Sequence, residues 1–336
     1  MVFLSKTPSI QWQKPLFCGI LGNTLLSTVP GVSGAGPNPE QTLLTPVLDA
    51  ELITNGRITS IGINSDTPTG CPTPATITRA MMELTGITPI FINAGLRYPM
   101  TVPVIDALGS VGEDPRFFDA VPRAHDLFLR GQMIGRFLSA YSDLLVLGEC
   151  VPGGTTTALC VLRALGYNAR VSSSFVHNPH NLKEEIWKQV QLRIATSQPS
   201  NPLDVVRCAG DPMMPVAAGI AHTYTGTLVL AGGSQMLAVC GVIKAMGAPL
   251  PIVATTTYVR DDATANIPEV ARAMGGKCFF VDPGFGDLGH AGLARYCQGE
   301  VKEGIGAGGA MFLAYLMGFS PDEIQEKIVR TVSAYS

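Results

Sequence analysis

Apolar residues gather in short unbroken blocks along this chain, at 16–21, 58–63, 89–92, 144–147, 227–230, 251–253 and 278–281, and each block stops near Gly, Asn, Asp or Thr. None alternates strictly with polar residues. Uninterrupted apolar blocks of this length predict strands covered on both faces. A different periodicity follows most of them, with apolar positions three and four apart, at 73–84, 155–165, 234–246 and 267–274. Strand, loop and helix repeated in this way predict a parallel sheet packed between helices, joined by right-handed crossovers. The expected fold is therefore α/β, a doubly wound and mostly parallel sheet of the three-layer Rossmann-like kind.

The Gly- and Pro-rich stretch 31–46 reads as an ordered surface loop, and 182–196 as a polar helix. Residues 299–336 open with a Gly-rich turn and continue as two helices.

Composition narrows the class. Of 336 residues, 46% are hydrophobic and 15% charged, below the quarter usual for soluble proteins, which places most apolar side chains in a large core. A net charge of −3 argues against a nucleic-acid or anionic-membrane surface. No apolar run approaches the roughly 18 residues of a membrane helix, and the first 14 residues lack the apolar stretch of a signal peptide. The expected location is the cytoplasm. Eight cysteines occur without a CxxC pair or a Cys/His cluster, so buried free thiols are expected and no metal site. His177 and His180 flank an Asn-Pro pair, too little to indicate a metal.

Ligands of parallel sheets bind at the carboxyl ends of strands. The strongest motif there is LLVLGECVPGGTTTA at 144–158, a strand leading to Glu149, a glycine pair and a helix start. Free N–H groups at a helix N-terminus attract anions. Gly153 and Gly154 permit close approach, and Thr155, Thr156 and Thr157 carry hydroxyls for a phosphate. An ordinary capped helix would look similar. The lysine of a Walker loop is absent. LVLAGGSQM at 228–236 repeats the arrangement with Gly232, Gly233 and Ser234, as a second phosphate or ribose contact or as a packing turn.

VKEGIGAGGA at 301–310 matches GxGxxG literally, but no strand precedes it and no βαβ unit follows, which excludes a dinucleotide site. What remains is a carboxylate, Glu303, held by a glycine turn with Gly304 and Gly306, a position suited to a general base and equally to a surface acid. DPGFGDLGH at 282–290 ends in His290, a proton carrier or a structural side chain. Lys183 and Lys188 lie on the polar helix.

Taken in order, these segments resemble the CobT family, the nicotinate-nucleotide–dimethylbenzimidazole phosphoribosyltransferases. GECVPGGTT at 148–156 is similar to the family's GE-x(3)-GNTT loop, PLDVVRCAG at 202–210 to its PLD/E segment, KEGIGA at 302–307 to its GEGSGA turn, and 282–290 to its EPGH segment with an insertion. The match is closer to a divergent CobT-like branch with GECVPGGTTTALGVL- and VLAGGTQM-type segments, over nearly the whole chain.

This resemblance implies a large α/β domain at about 15–298, a small helical domain from 1–14 plus 299–336, and a homodimer. It implies transfer of ribose 5-phosphate from nicotinate mononucleotide to a lower-ligand base, dimethylbenzimidazole or another such as adenine, for the nucleotide loop of a cobamide. The partners would be nucleotide and base, with no cofactor. Glu303 would be the general base and Glu149 a second active-site acid. Gly153, Gly154, Thr155, Thr156, Gly232, Gly233, Ser234, Gly304, Gly306 and Lys183 would hold the nucleotide, with Asn64, Asp66 and His290 at the base. The family's Asn in GNTT is Gly154 here, and its AADHG-type segment has no counterpart. A nucleotide-binding protein without turnover and a nucleotide glycohydrolase stand as alternatives.

Overall fold

A computed structural model of the chain describes residues 2–36, 38–62 and 66–335. Seven strands form one sheet: β1 (Pro15–Gly22), β2 (Ile90–Gly95), β3 (Val104–Asp106), β4 (Leu144–Cys150), β5 (Thr227–Ala231), β6 (Ile252–Thr256) and β7 (Cys278–Val281). Their order is β3-β2-β1-β4-β5-β6-β7, and every pairing is parallel. The chain builds outward from β1 to β3, returns to β4 and builds the other way. The direction of winding therefore reverses between β1 and β4, where Ile20 pairs with Glu149. Such a reversal leaves a crevice at the carboxyl ends of the strands.

Thirteen helices connect and cover the strands among the described residues: α1 (Pro39–Asn55), α2 (Pro74–Thr85), α3 (Ala124–Ser139), α4 (Gly154–Ala164), α5 (His180–Ser197), α6 (Pro202–Ala209), α7 (Met213–Thr223), α8 (Ser234–Ala245), α9 (Thr257–Arg260), α10 (Ile267–Met274), α11 (Ala291–Ala294), α12 (Ala307–Leu316) and α13 (Pro321–Ser333). The strands are apolar on both faces because both are covered. Cys18, Ile20, Leu145, Leu147, Leu228 and Leu230 join a core with α3 to α8 and α10. Their neighbours Phe17, Leu21, Leu144, Val146, Val229 and Ala231 face a second core with α1, α2, α12 and α13. The three-layer α/β fold expected from the apolar blocks is the fold observed.

Two expectations are corrected. Residues 58–62 form no strand, and 63 lies outside the described residues. The buried carboxylate of Glu51 on α1 accepts hydrogen bonds from the Thr59 and Ser60 amides at 2.8 and 3.0 Å, and from both hydroxyls. Those amides are thereby withdrawn from any ladder. The stretch 31–46 is not all loop, because α1 begins at Pro39. Asn38 caps it by accepting from the Gln41 amide at 3.0 Å, and proline at the first position lacks only an N–H that has no helical partner there.

The C-terminal segment lays α12 over β4 to β7 and packs α13 on α2. Near the start of the chain, Leu4 bridges Val281 on the outer edge of β7 in antiparallel fashion, and the Ser5 amide donates to the Phe280 carbonyl at 3.0 Å. Of the cysteines placed beside apolar blocks, Cys18, Cys150, Cys160, Cys208 and Cys240 are buried and Cys278 half-buried. No helix among the described residues is long and apolar enough to cross a membrane.

Candidate active site

A cavity of about 940 Å³ opens at the carboxyl ends of the strands. Glu149 to Thr155, the end of β4 and the loop into α4, form one wall, with Gly233 to Gln235 from the start of α8 beside them. The segment from Ser172 to His177 and the turn from Glu300 to Gly304 also line it. Asp49 on α1 and the loop from Asp66 to Thr69 complete the lining.

Glycine packing brings the two candidate acids to the same cavity. A Cβ on Gly148 would lie 3.0 Å from the Cα of Gly306, so the turn before α12 rests directly on β4. Glu149 follows Gly148, and Glu303 precedes Gly306 by three residues. A Cβ on Gly309 would lie 2.1 Å from that of Ala231, which brings α12 equally close to β5.

Glu303 is half-buried, with its carboxylate over the first turn of α12. It accepts from the Gly308 amide at 3.0 Å, from its neighbour Gly304 at 3.2 Å and from the Thr255 hydroxyl at 3.0 Å. Burial raises its carboxyl to about 7 and outweighs the hydrogen bonds that favour the ionised form. Glu149 is buried more deeply. Burial first, then the nearby charges of Glu303 and Asp211, push it well above the carboxylate range, against one hydrogen bond from the Val151 amide. Two interacting carboxyls titrate as a unit. Both carboxyls are held above the ordinary range, Glu149 further than Glu303, so Glu303 is the readier of the two to ionise and act as a base.

Beside the pair stands the start of α4. Gly153 has φ +77°, and a Cβ there would lie 3.0 Å from the Cα of Ser27, so glycine is needed for both conformation and space. No side chain caps α4. Thr155 lines the cavity. Thr156 does not, its hydroxyl lying in the core without a partner among the described residues, and Thr157 turns inward to Asp211 at 2.7 Å. Gly233 and Ser234 line the cavity, and the Ser234 hydroxyl accepts from the Ser172 amide at 3.1 Å, tying the two walls together. Gly232 lies behind, where a Cβ would strike the Glu149 side chain at 2.9 Å.

Several residues expected at a ligand sit elsewhere. Lys183 is buried in a network, donating to the Ser172 carbonyl at 2.8 Å and to Asn178 at 3.0 Å. Gly304 lines the cavity, whereas Gly306 is covered by β4. Asp66 lines it. His290 does not, its ring accepting from the Leu293 amide at 3.3 Å at the start of α11. Asn64 lies outside the described residues.

Other residues were not singled out from the sequence. Lys302 is buried in the cavity wall, donating to the Ser173 and Phe175 carbonyls at 2.7 and 3.0 Å, with Asp262 at 3.6 Å. Asp49 receives the Cys150 thiol at 3.3 Å, and burial raises it to about 7. Glu300 binds Arg295 at 2.6 Å, Thr67 at 2.8 Å and Thr69. Lys302 adjoins Glu303 in the glycine motif, and that adjacency was the available signal. Asp49 lies in a helix whose first half reads as loop.

The chain is 42% identical over 319 residues to a UPF0284 protein of Thermococcus gammatolerans, covering 93% of this chain and 96% of that one. A UPF0284 protein of Methanosarcina acetivorans is 40% identical over 326 residues, covering 94% and 93%. The chain belongs to the UPF0284 family. No protein-family model matches it. Among solved structures, it resembles the nicotinate-nucleotide-dimethylbenzimidazole phosphoribosyltransferase of Thermus thermophilus, with a TM-score of 0.62 at 15% identity, over 96% of this chain and 83% of that one. A structure of CobT from the same organism gives 0.63 at 15% identity, over 96% and 84%. This member of the UPF0284 family thus has a CobT-like fold.

Proposed function

We propose that the protein is a pentosyltransferase that moves ribose 5-phosphate from nicotinate mononucleotide to a ring nitrogen of an aromatic base. The base would be dimethylbenzimidazole or a relative such as adenine, and the product would enter the nucleotide loop of a cobamide. The observation that carries this reading is the placement of Glu149 and Glu303 beside the uncapped start of α4 in one cavity.

The chemistry fits those groups. A phosphate takes the amide and hydroxyl of Thr155 at the start of α4. The pyridinium of the donor is positively charged and suits a cavity whose Glu303 carboxyl ionises. The base attacks C1′ with a nitrogen lone pair from the side opposite nicotinate. The bond from C1′ to the pyridinium nitrogen breaks, and its electrons neutralise that ring. The azolium formed on the base gives its N–H proton to Glu303. Attack from the opposite side inverts the anomeric carbon to an α-ribotide. Rate arises chiefly from aligning the two rings across the sugar.

The test is mass spectrometry of products from nicotinate mononucleotide with a panel of bases. Free nicotinate and an α-ribotide are expected in equal amounts. Nucleotide left intact with every base, or nicotinate released equally without one, overturns the assignment.

A further inference from the structure

Gln235, the second residue of α8, is 9% exposed and lines the cavity. Its carboxamide makes no hydrogen bond to any described residue, and its Oε1 is fully enclosed. Five buried side-chain polar atoms lack a partner among the described residues, in Asn23, Thr54, Thr76, Thr156 and Gln235. Of these residues only Gln235 lines the cavity. A buried amide without a partner costs stability, and native proteins retain few of them.

The space that this amide occupies is provided by another residue. A Cβ on Gly154 would lie 1.9 Å from Gln235 Oε1 and 2.4 Å from its Cδ. Gly154 is the first residue of α4, a helical position that alanine would favour. Glycine there leaves the surface of α4 bare, and the carboxamide reaching across from α8 lies on it. An amide is thus held between the first turns of two helices, at the edge of the cavity, with both hydrogen-bonding edges unused.

We infer that Gln235 is a specificity-determining residue whose carboxamide, made room for by Gly154, donates to a hydroxyl group of the ligand's sugar from its NH2 edge, the edge not enclosed against Gly154. The NH2 edge donates, and a sugar hydroxyl oxygen accepts from it. The ligand's phosphate is taken by the Thr155 amide and hydroxyl, which leaves this donor to the sugar. The inference rests on reading the cavity as a ribotide site, and it gives the sugar a recognition element separate from the acids that act on the base.

Calorimetric titration of the full chain with ribose 5-phosphate, and separately with inorganic phosphate, tests this without requiring turnover. In Gln235→Met, ribose 5-phosphate is expected to bind at least about tenfold more weakly, the loss of one hydrogen-bonded group, with phosphate binding unchanged. The thermal midpoint of the ligand-free variant is expected to hold or rise, because an unpartnered amide has been removed. Gly154→Ala, whose methyl takes the carboxamide's place, is expected to weaken ribose 5-phosphate in the same way. Wild-type affinity in Gln235→Met, equal weakening for both ligands, a midpoint several degrees lower, or no binding of ribose 5-phosphate by the wild type would each overturn the inference. If base transfer fails while Gln235-dependent sugar binding persists, the proposed reaction falls and this assignment stands.

Discussion

Gly148 and Gly306 lie backbone against backbone, with a Cβ on Gly306 reaching to 2.7 Å from the Cα of Gly148. Through this contact a turn near the C-terminus delivers Glu303 to the strand that ends in Glu149. A methyl group at either position would act as a wedge between β4 and α12. Gly148→Ala is expected to destabilise the fold by about 1–3 kcal/mol, the usual cost of overpacking. Gly306→Ala is expected to cost more, since its φ is +68° and the left-handed conformation adds roughly 1–2 kcal/mol. Urea unfolding measures both losses. Under the proposed reaction, folded Gly148→Ala protein loses activity further than its stability explains.

Glu303 gives opposite slopes to stability and activity. Its carboxyl titrates at about 7 when folded, against about 4.3 in an unfolded chain. Between these values the folded form binds the extra proton, so this residue's contribution to stability falls as pH rises from about 4.3 to 7 and is level above. Glu303→Gln removes that slope. Relative to wild type, the variant's unfolding midpoint is expected to improve steadily across that window. A general base must be ionised, so wild-type transfer is expected to climb through about pH 7, and Glu303→Gln to lose roughly 10²–10⁴-fold. A flat pH profile in the wild type would remove Glu303 from that role.

Lys302 secures the 172–177 segment of the cavity wall. Lys302→Met strips the Ser173 and Phe175 carbonyls of their donor and leaves Asp262 with one buried lysine neighbour in place of two. Breaking a buried charged group out of its network should cost on the order of 3 kcal/mol. Chemical denaturation checks this, and a loss within error of zero would mean that the wall holds without it.

Glu300 ties the 66–69 loop to the segment around Arg295. Its carboxylate is held below the ordinary range, burial being outweighed by bonds from Thr69, Thr67 and Arg295. Glu300→Ala is expected to speed amide exchange at Cys71, whose N–H donates to Thr67 Oγ1, while global stability changes by only about 1 kcal/mol. Hydrogen exchange followed by mass spectrometry reads the local effect directly.

The sheet was legible because its strands are buried on both faces. The apolar blocks at 16–21 and 227–230 fall within β1 and β5, and 278–281 coincides with β7. Strand β3, three residues at a margin, carries too little pattern to stand out. The block at 58–63 has the composition of a strand, but Glu51 captures its amides from an element that the sequence alone does not bring near. Glu149 and Glu303 were found through their glycine surroundings, and the same glycines bring them together. Lys183 was not readable in this way. A lysine on a polar helix looks solvated or ligand-bound, and nothing local indicates that the carbonyl of Ser172 and Asn178 enclose it.

The bridge between Leu4 and Val281 has a consequence for the protein at high concentration. The free margin of a sheet is a template on which a second molecule can add a strand, a common first step toward aggregates. Here one margin is covered by the chain's own residues 3 to 5. The other is β3, too short to align a foreign strand over more than a few bonds. Deleting the first few residues would uncover the outer edge of β7 and leave the molecule open to intermolecular pairing there.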